Sequence, residues 1–296
     1  MTLETTRTRA GTWALLAALA LVAATVACAS GGASTAPAGA TPAVAAHVGR
    51  FVWHDLVTRD AAACQKFYGA LLGWDFKETT RDGHPYFLAQ SGGSFAGGIV
   101  PLAGAAPGPA AWLSYLSVPD LDRAVAQVGS AGGKVLLQPR AVGAYGRVAV
   151  VTDPQGAPLG LAGVTGEIPD EPAQPLANQF FWMEYLAKDG PAALAFYKDL
   201  AGFDSSVTAS QNGVDFHVLK TRVARAGLFQ IPSDATMVEP HWLPFVRVAD
   251  PAALAARVVA LGGKVLVAPR AEVRKGTLAV IADPTGGAVA LQKWPL

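Results

Sequence analysis

The sequence predicts an α+β fold made from two copies of one module, each containing two βαβββ units. An internal repeat is the first observation behind this prediction. The segment beginning Phe51-Val-Trp-His-Asp returns as Phe180-Phe-Trp-Met-Glu, and the segment beginning Val118-Pro-Asp returns as Val248-Ala-Asp. The second observation is that a strand, a helix and several short strands follow one another twice within each copy. The offset between the copies is almost constant along the whole repeat, which indicates duplication of an entire module.

The first βαβββ unit begins with a strand at Phe51, where alternating residue types give the strand two distinct faces. Asp60 is expected to cap a helix spanning residues 61–72, and Gly73 is expected to end it. The Gly- and Pro-rich stretch 103–110 separates this unit from the next one. Between the helix and that stretch, short strands are predicted around residues 75–78, 85–90 and 97–102.

The second unit repeats this order with a strand at 112–118 and a helix at 121–130 that Asp120 caps. Gly132 and Gly133 are expected to end the helix. The sequence Asp153-Pro-Gln-Gly has the residue types of a tight turn between two strands. The strands of this unit are predicted near residues 135–138, 147–152 and 158–162.

The N-terminus has the pattern of an export signal, because Arg7 and Arg9 precede an uncharged apolar run that ends at Cys28. Thr25-Val-Ala-Cys resembles a bacterial lipobox, which predicts that Cys28 is lipidated and that the protein is exported and lipid-anchored in the cell envelope. Simple signal cleavage and an uncleaved membrane anchor remain alternatives. The predicted organisation is a signal peptide at 1–27, a low-complexity tether at 28–48, a first module at 49–163, a linker at 164–177 and a second module at 178–296.

Charge and cysteine content narrow the possible partners. The chain has 23 Lys and Arg against 22 Asp and Glu, and loss of residues 1–27 would make the two counts equal. A nucleic-acid-binding surface would require a basic excess, so no nucleic-acid partner is expected. If Cys28 is lipidated, Cys64 has no disulfide partner within the chain, and we expect it to be a small buried residue.

The ordered set of motifs resembles the vicinal oxygen chelate superfamily, which includes glyoxalase I, bleomycin and fosfomycin resistance proteins and extradiol dioxygenases. The set consists of the Asp-capped helix ending in Phe-Tyr-x-x-Leu-x-Gly, then Gly-Gly-Lys-Val, then Asp-Pro-x-Gly, and it occurs twice. The resemblance covers residues 51–163 and 180–294. It implies that paired βαβββ units curl into incompletely closed barrels around a ligand cavity. Single-module relatives commonly pair, so the fusion of two modules implies a monomer.

The resemblance also implies where metal ligands would lie. Counting from the motifs places these ligand positions at residues without a strong metal donor, because indole nitrogen only donates hydrogen bonds and divalent metals prefer imidazole or carboxylate. His54 is adjacent to one position, but a shift of one residue along a strand reverses the face. We therefore expect no metal and no other cofactor. The positions are Trp53, Ser114 and Gly160 in the first module and Trp182, Pro244 and Ala290 in the second.

The candidate site is instead a pair of aromatic cavities, and four tryptophans are expected either to line these cavities or simply to fill the barrels. Asp55 and Glu184 occupy the same place in the two copies and share a strand face with a tryptophan two residues earlier. Each carboxylate is interpreted either as a structural group paired with backbone amides or an arginine, or as a recognition group for a cationic or hydroxylated ligand. The full set of candidate ligand-binding residues is Trp53, Asp55, Trp112, Ser114, Trp182, Glu184, Trp242 and Gln292.

These features predict a protein that binds a small apolar or aromatic molecule without a metal. The alternative is a metal-dependent lyase, isomerase or dioxygenase with unconventional ligands drawn from His54, Asp55 and Glu184. An envelope scaffold with filled cavities is a third possibility. No catalytic residue is assigned, because the sequence contains neither a Gly-x-Ser-x-Gly nucleophile motif nor a phosphate-binding loop.

Overall fold

The computed structural model describes residues 47–294 except 104–109, 167, 169–170, 173, 212–213 and 236. The predicted signal peptide, Cys28 and nearly all of the predicted tether lie outside the described residues. Within the described part of the chain, no helix combines the length and apolar character needed to cross a membrane.

The four βαβββ units are all present, and the strands and helices predicted for the first module are confirmed with differences of a few residues at their ends. The helices are α1 (Ala61–Leu72), α2 (Leu121–Ser130), α3 (Gly190–Ala201) and α4 (Pro251–Val258). The strands of the first module are β1 (Phe51–Thr58), β2 (Asp75–Arg81), β3 (His84–Ser91), β4 (Ser94–Pro101), β5 (Ala111–Ser117), β6 (Lys134–Val142), β7 (Gly146–Thr152) and β8 (Pro158–Val164). Those of the second are β9 (Phe180–Ala187), β10 (Asp204–Gln211), β11 (Val214–Lys220), β12 (Ala224–Gln230), β13 (His241–Val248), β14 (Lys264–Val267), β15 (Leu278–Ala282) and β16 (Ala288–Lys293).

Each module forms one eight-stranded sheet, in the orders β2-β3-β4-β1-β5-β8-β7-β6 and β10-β11-β12-β9-β13-β16-β15-β14. The first strands of the two units in a module pair antiparallel, β1 with β5 and β9 with β13. In each unit the first strand also pairs in parallel with the last. The sheet therefore curls into an incompletely closed barrel whose concave face we call a cup, the first cup in the first module and the second cup in the second.

The helices begin and end where the sequence indicates. Asp60, Asp120, Asp189 and Asp250 each accept a hydrogen bond from a backbone N–H in the first turn of a helix. Such capping satisfies donors that have no partner within the helix. All four helices contribute buried residues to the cores, and none of them contributes a residue to the lining of the cavity.

Two large apolar cores join the modules. One core combines the first unit of the first module with the second unit of the second module. The other core combines the second unit of the first module with the first unit of the second module. Cys64 is fully buried in the first of these cores, as expected for a small apolar residue, and burial raises the pKa of its thiol to about 11. The two modules therefore share both cores, and each core joins a first unit of one module to a second unit of the other.

A buried polar contact crosses each core. In one core the carboxylate of Asp153 accepts hydrogen bonds from the hydroxyls of Tyr185 (2.5 Å) and Tyr197 (2.8 Å) of the other module. The indole of Trp242 donates to the Tyr197 hydroxyl at 2.8 Å. In the other core, Asp283 accepts from the hydroxyl of Tyr68 at 3.0 Å. We call these two Asp–Tyr clusters, one in each core, the intermodule latches.

Candidate functional site

The polar floor of the first cup is centred on Asp55, whose side chain is fully buried on β1. Its Oδ1 accepts hydrogen bonds from the Trp53 indole at 2.8 Å and from the Tyr86 hydroxyl at 2.7 Å. Its Oδ2 accepts from the Arg81 guanidinium at 2.6 Å, and the Tyr115 hydroxyl lies close enough to this carboxylate to be influenced by its charge. The Arg81 guanidinium lies 3.8 Å from the centre of the Tyr86 ring. Asp55 is therefore a buried charge whose oxygens are all engaged by donors.

The electrostatics of this cluster keep each donor in one protonation state. Burial and the nearby Asp55 charge raise the pKa values of the Tyr86 and Tyr115 hydroxyls far above the ordinary range. Burial is the largest single influence and by itself would lower the pKa of Arg81, but the charge of Asp55, its hydrogen bond and the neighbouring tyrosines together raise that pKa. The cluster is thus a carboxylate held by one cation and by neutral donors.

The second cup contains a similar arrangement around Glu184 on β9. Its Oε1 accepts a hydrogen bond from the Trp182 indole at 3.2 Å and forms an ion pair with the Arg274 guanidinium. The guanidinium lies between two rings, 5.8 Å from the centre of Phe216 and 5.2 Å from that of Phe245. Burial raises the pKa of Glu184, while Arg274 and the Trp182 indole act in the opposite direction. A carboxylate, a tryptophan, two further rings and an arginine therefore meet in both cups.

The rings are equivalent in the two modules, but the arginines are not. Tyr115 and Phe245 occupy the same position of the repeat. Each pairs with the tryptophan of its cup, across β1 and β5 in the first module and across β9 and β13 in the second. Tyr86 and Phe216 are also equivalent. Each lies two residues before the residue that pairs with a glycine of the neighbouring strand, and these glycines, Gly98 and Gly227, occupy the same position of the repeat. Arg81 ends β2, whereas Arg274 lies in the loop before β15, where the first module has Ala144. The cation of the first cup therefore comes from the first unit of its module, whereas the cation of the second cup comes from the second unit.

The structure divides the predicted site residues between the cups and the cores. Trp53, Asp55, Trp182 and Glu184 all line the cavity, as expected from their strand face. Trp112 instead contacts Tyr68, Trp74 and Phe180 in a core between the modules, and Trp242 occupies the matching place in the other core. This corrects the expectation that four tryptophans line two cavities, because the face of β5 and β13 that carries them is the face that packs on the helices.

Ser114 also lies on the helix-facing side, where its hydroxyl is 2.8 Å from Nδ1 of His54. The His54 ring packs on Phe180 with a centroid distance of 4.2 Å. Burial lowers the pKa of this imidazole to about 3. Gln292 is fully buried below the second cup, and its Nε2 donates to Thr277 Oγ1 at 2.9 Å. Neither Ser114 nor Gln292 lines the cavity, so the structure gives both a supporting position.

The strand register also corrects the position implied for the second metal ligand. Tyr115, not Ser114, faces the first cup, and it pairs with Trp53 on one side and Gly160 on the other. In the second module the corresponding row is Trp182, Phe245 and Ala290. A divalent metal requires several imidazole, carboxylate or thiolate ligands, and the protonated Tyr115 phenol is the one oxygen among these six side chains. The rows do not fit a metal.

The space at Gly160 supports the same conclusion, because a Cβ atom there would lie 2.4 Å from the Tyr115 ring. A carboxylate side chain at this position would require Tyr115 to move out of the cup. In the parts of the chain that the structure describes, no group of three or more His, Cys, Asp and Glu side chains is arranged to hold a metal ion.

A connected cavity of about 2820 Å³ is lined by residues of both cups and by the segment that links the modules. A single ligand pocket is commonly about 300–1,000 Å³. The cavity therefore has room for a ligand in each cup. Its walls combine the aromatic floor of each cup with several arginines, among them Arg81, Arg140 and Arg274.

The fold and the two cups define a tandem protein of the glyoxalase-like class. Residues 46–161 and 179–291 each match the family model described as the Glyoxalase/Bleomycin resistance protein/Dioxygenase superfamily. The chain belongs to this superfamily, and both modules are members.

Relatives and solved structures agree with this assignment. The chain is 33% identical over 248 residues to the "Putative glyoxylase CFP32" of Mycobacterium tuberculosis, covering 81% of this chain and 93% of that protein. It is 29% identical over 261 residues to the "Anthracycline biosynthesis protein DnrV" of Streptomyces peucetius, covering 79% of this chain and 89% of that protein.

Among solved structures, the Mn(II)-bound glyoxalase from Novosphingobium aromaticivorans superposes with a TM-score of 0.55 at 15% identity, covering 83% of this chain and 82% of that one. Homoprotocatechuate 2,3-dioxygenase from Arthrobacter globiformis also has a TM-score of 0.55, at 19% identity, with coverage of 87% and 82%. At such identities these likenesses establish the fold alone.

Sequence reasoning did not find the residues that complete the two cups. Tyr115 and Phe245 are aromatic at the same position of both copies, so the repeat itself carried a signal for them. Arg81 and Arg274 have no arginine at the equivalent position of the other copy. Comparison of the two copies therefore could not identify them. The remaining missed rings are Tyr86 and Phe216.

Proposed function

We propose that this protein binds small molecules in its two aromatic cups and that binding uses no metal ion. The expected ligand is apolar or aromatic over most of its surface and carries a polar group that faces the arginine–carboxylate pair at the floor. This proposal goes beyond the shared superfamily, because the fold hosts both metal-dependent enzymes and metal-free binding proteins.

The observation that carries the proposal is the replacement of metal donors in both modules. Aromatic and small side chains occupy the rows Trp53–Tyr115–Gly160 and Trp182–Phe245–Ala290. Loss in one copy would leave a working second site, whereas loss in both removes metal-ion chemistry from the positions that the family uses. The carboxylates that remain are already paired, Asp55 with Arg81 and Glu184 with Arg274.

The aromatic surface supports binding independently of the metal argument. The half-buried rings of Trp53 and Trp182 line the cavity. Exposed aromatic area in a concave site is a favourable surface for apolar ligands, because its burial removes apolar area from water. The names of the relatives do not identify a ligand for this chain.

Elemental analysis of protein purified without chelators tests this proposal. We expect less than one tenth of an equivalent of manganese, iron, nickel or zinc per module. Ligand binding, followed by calorimetry on a panel of aromatic metabolites, is expected to be unchanged after chelator treatment. One firmly bound metal per module, or an activity lost with chelator and restored by metal, would instead establish the metal-dependent lyase, isomerase or dioxygenase.

We further propose that the protein is exported and anchored to a membrane by lipid on Cys28. The support is the sequence pattern of Arg7, Arg9, the apolar run and the lipobox-like residues before Cys28. Incorporation of a labelled fatty acid into the wild-type protein, and its absence from Cys28→Ala, is the expected result. Labelling of both proteins to the same extent would place the lipid elsewhere.

A monomer is the expected oligomeric state. Each convex face is already covered by the other module, through the two mixed cores. Light scattering of detergent-free protein lacking the lipid is expected to give the mass of one chain, and the mass of two chains would contradict this.

A further inference from the structure

The second cup has the composition of a cation-binding cage. Glu184 supplies a negative charge that is nearly fully buried, and its neighbours are the rings of Trp182, Phe216 and Phe245. Aromatic faces attract cations through their quadrupole, and this attraction strengthens when the site excludes water. The group seated among them is the guanidinium of Arg274, a cation supplied by the protein itself.

Arg274 is held by a loop with unfavourable backbone geometry. Arg274 and Lys275 have φ values of +47° and +53°, in the left-handed region that non-glycine residues seldom occupy. Two consecutive residues of this kind make the loop conformation costly by itself, and such strain concentrates at ligand clamps and switches. The Thr277 hydroxyl donates to the Arg274 carbonyl at 2.6 Å, and Gln292 donates to Thr277 from below. The strained loop therefore rests on a defined support.

The two cups differ in how much they depend on their arginine. In the first cup Asp55 accepts hydrogen bonds from the Trp53 indole and the Tyr86 hydroxyl in addition to Arg81, and the Tyr115 hydroxyl lies nearby. In the second cup both ring positions are phenylalanine, so Glu184 has the Trp182 indole and Arg274 as its side-chain donors. A buried carboxylate with so few neutral donors requires a cation nearby. The second cup is therefore the one that demands a cation.

We propose that the second cup is a receptor for the guanidinium or ammonium group of a small organic cation, and that Arg274 fills the cage when no ligand is bound. The inference rests on the proposed function, namely small-molecule binding in the cups, and it specifies the ligand's charge. A ligand cation replaces the Arg274 guanidinium between Phe216 and Phe245, and the loop then relaxes as Arg274 swings towards solvent. The side chain of Arg274 is already 27% exposed, so this movement has a route.

Chemical rescue tests the cage directly. Arg274→Ala removes the internal guanidinium, and we expect a lower melting temperature that ethylguanidinium restores by several degrees, whereas the neutral analogue ethylurea and equal ionic strength of NaCl do not. Arg270→Ala is the matched control, because it removes the same charge from the exposed part of the same loop. Adding Glu184→Gln to Arg274→Ala is expected to abolish the rescue. A response of Arg274→Ala no larger than that of Arg270→Ala would overturn the proposal.

Displacement is tested first on the wild-type protein, so that the decisive comparison does not depend on a folded variant. Phenethylguanidinium is expected to bind at least about tenfold more tightly than phenethylurea by calorimetry, and Arg274→Ala is expected to strengthen cation binding by about tenfold or more, since no internal cation competes. Equal affinity of the two compounds for the wild type would show that Arg274 is a fixed structural partner and would overturn the proposal. If neutral aromatic compounds still bind, the proposed function survives that result, whereas a tightly bound metal would end it.

Discussion

The intermodule latch yields a prediction that can be worked out from individual hydrogen bonds. Tyr197→Phe removes one hydroxyl, which donates to Asp153 Oδ2 at 2.8 Å and accepts from the Trp242 indole at 2.8 Å. Both tyrosines that contact Asp153 are fully buried, so water cannot replace the lost partner. The ring itself remains, and the apolar contacts around it are preserved.

The expected loss in the free energy of unfolding is about 3 kcal/mol, from two contributions. A hydrogen bond to a charged group contributes about 1.5–3 kcal/mol, and a buried donor left unsatisfied costs about 1–3 kcal/mol. We expect a total loss near the lower end of the combined range, because Asp153 keeps three donors. These are the Tyr185 hydroxyl and the backbone N–H groups of Gln155 and Ala157. Trp242 is the group left without an acceptor.

Urea unfolding followed by circular dichroism measures this loss. The control is Tyr145→Phe, since Tyr145 is 61% exposed and its variant is expected to stay within about 0.5 kcal/mol of the wild type. Tyr68→Phe should give a loss similar to that of Tyr197→Phe, because its hydroxyl joins Asp283 and the Trp112 indole in the same way. If Tyr197→Phe unfolds at the same urea concentration as Tyr145→Phe, the latch does not stabilise the interface and the reasoning fails.

Two further predictions concern charged groups. Burial lowers the pKa of His54 from its ordinary 6.5 to about 3. As the pH falls, the unfolded chain therefore takes up a proton at this residue before the folded chain does. The free energy of unfolding should fall by up to about 1.4 kcal/mol per pH unit between about pH 6.5 and pH 3. His54→Gln should flatten that slope in urea unfolding across this pH range, while the exposed His84→Gln should keep it; equal slopes would contradict the assignment. Arg81→Met should lower the unfolding free energy by about 2 kcal/mol at pH 7, less than for a fully buried pair because Arg81 is 26% exposed, and adding Asp55→Asn should recover part of the loss. No loss in the single variant would mean that the neutral donors alone satisfy the carboxylate.

The fold was predictable because its signals are local and occur twice. Each helix starts at an Asp cap, and the helices at 61–72 and 190–201 end at a glycine in the left-handed conformation. Such caps can be read from a few consecutive residues. Duplication then doubles each signal, so the order of strands and helices follows without knowledge of any distant contact.

The sites were only partly predictable, because alternation along a strand defines two faces without saying which one is the cup. Asp55 and Trp53 were assigned to the correct face through the resemblance to the family. For β5 the counted position fell on Ser114, one residue from the cup-facing Tyr115. Since side-chain direction reverses at every residue, an error of one position moved Trp112 and Ser114 from the cores to the cavity.

The symmetry between the modules separates stability from binding. Trp112 and Trp242 recur at equivalent positions because each supports an intermodule latch through a tyrosine hydroxyl. A residue that recurs in both copies can therefore belong to the shared interface. The positions where the cups differ are Tyr86 and Tyr115 against Phe216 and Phe245, together with arginines from different units.

These differences change the number of neutral donors to the buried carboxylate while leaving the cores unaffected. In the first cup the Tyr86 hydroxyl binds Asp55 together with Arg81, whereas the second cup relies on Arg274 from a strained loop. Because a carboxylate with a further neutral donor depends less on its cation than one without, ligand exchange should be concentrated in the second cup. Phe216→Tyr would supply a hydroxyl near Glu184, and the second cup should then lose its preference for phenethylguanidinium over phenethylurea. An unchanged preference in that variant would mean that donor number does not set the demand for a cation.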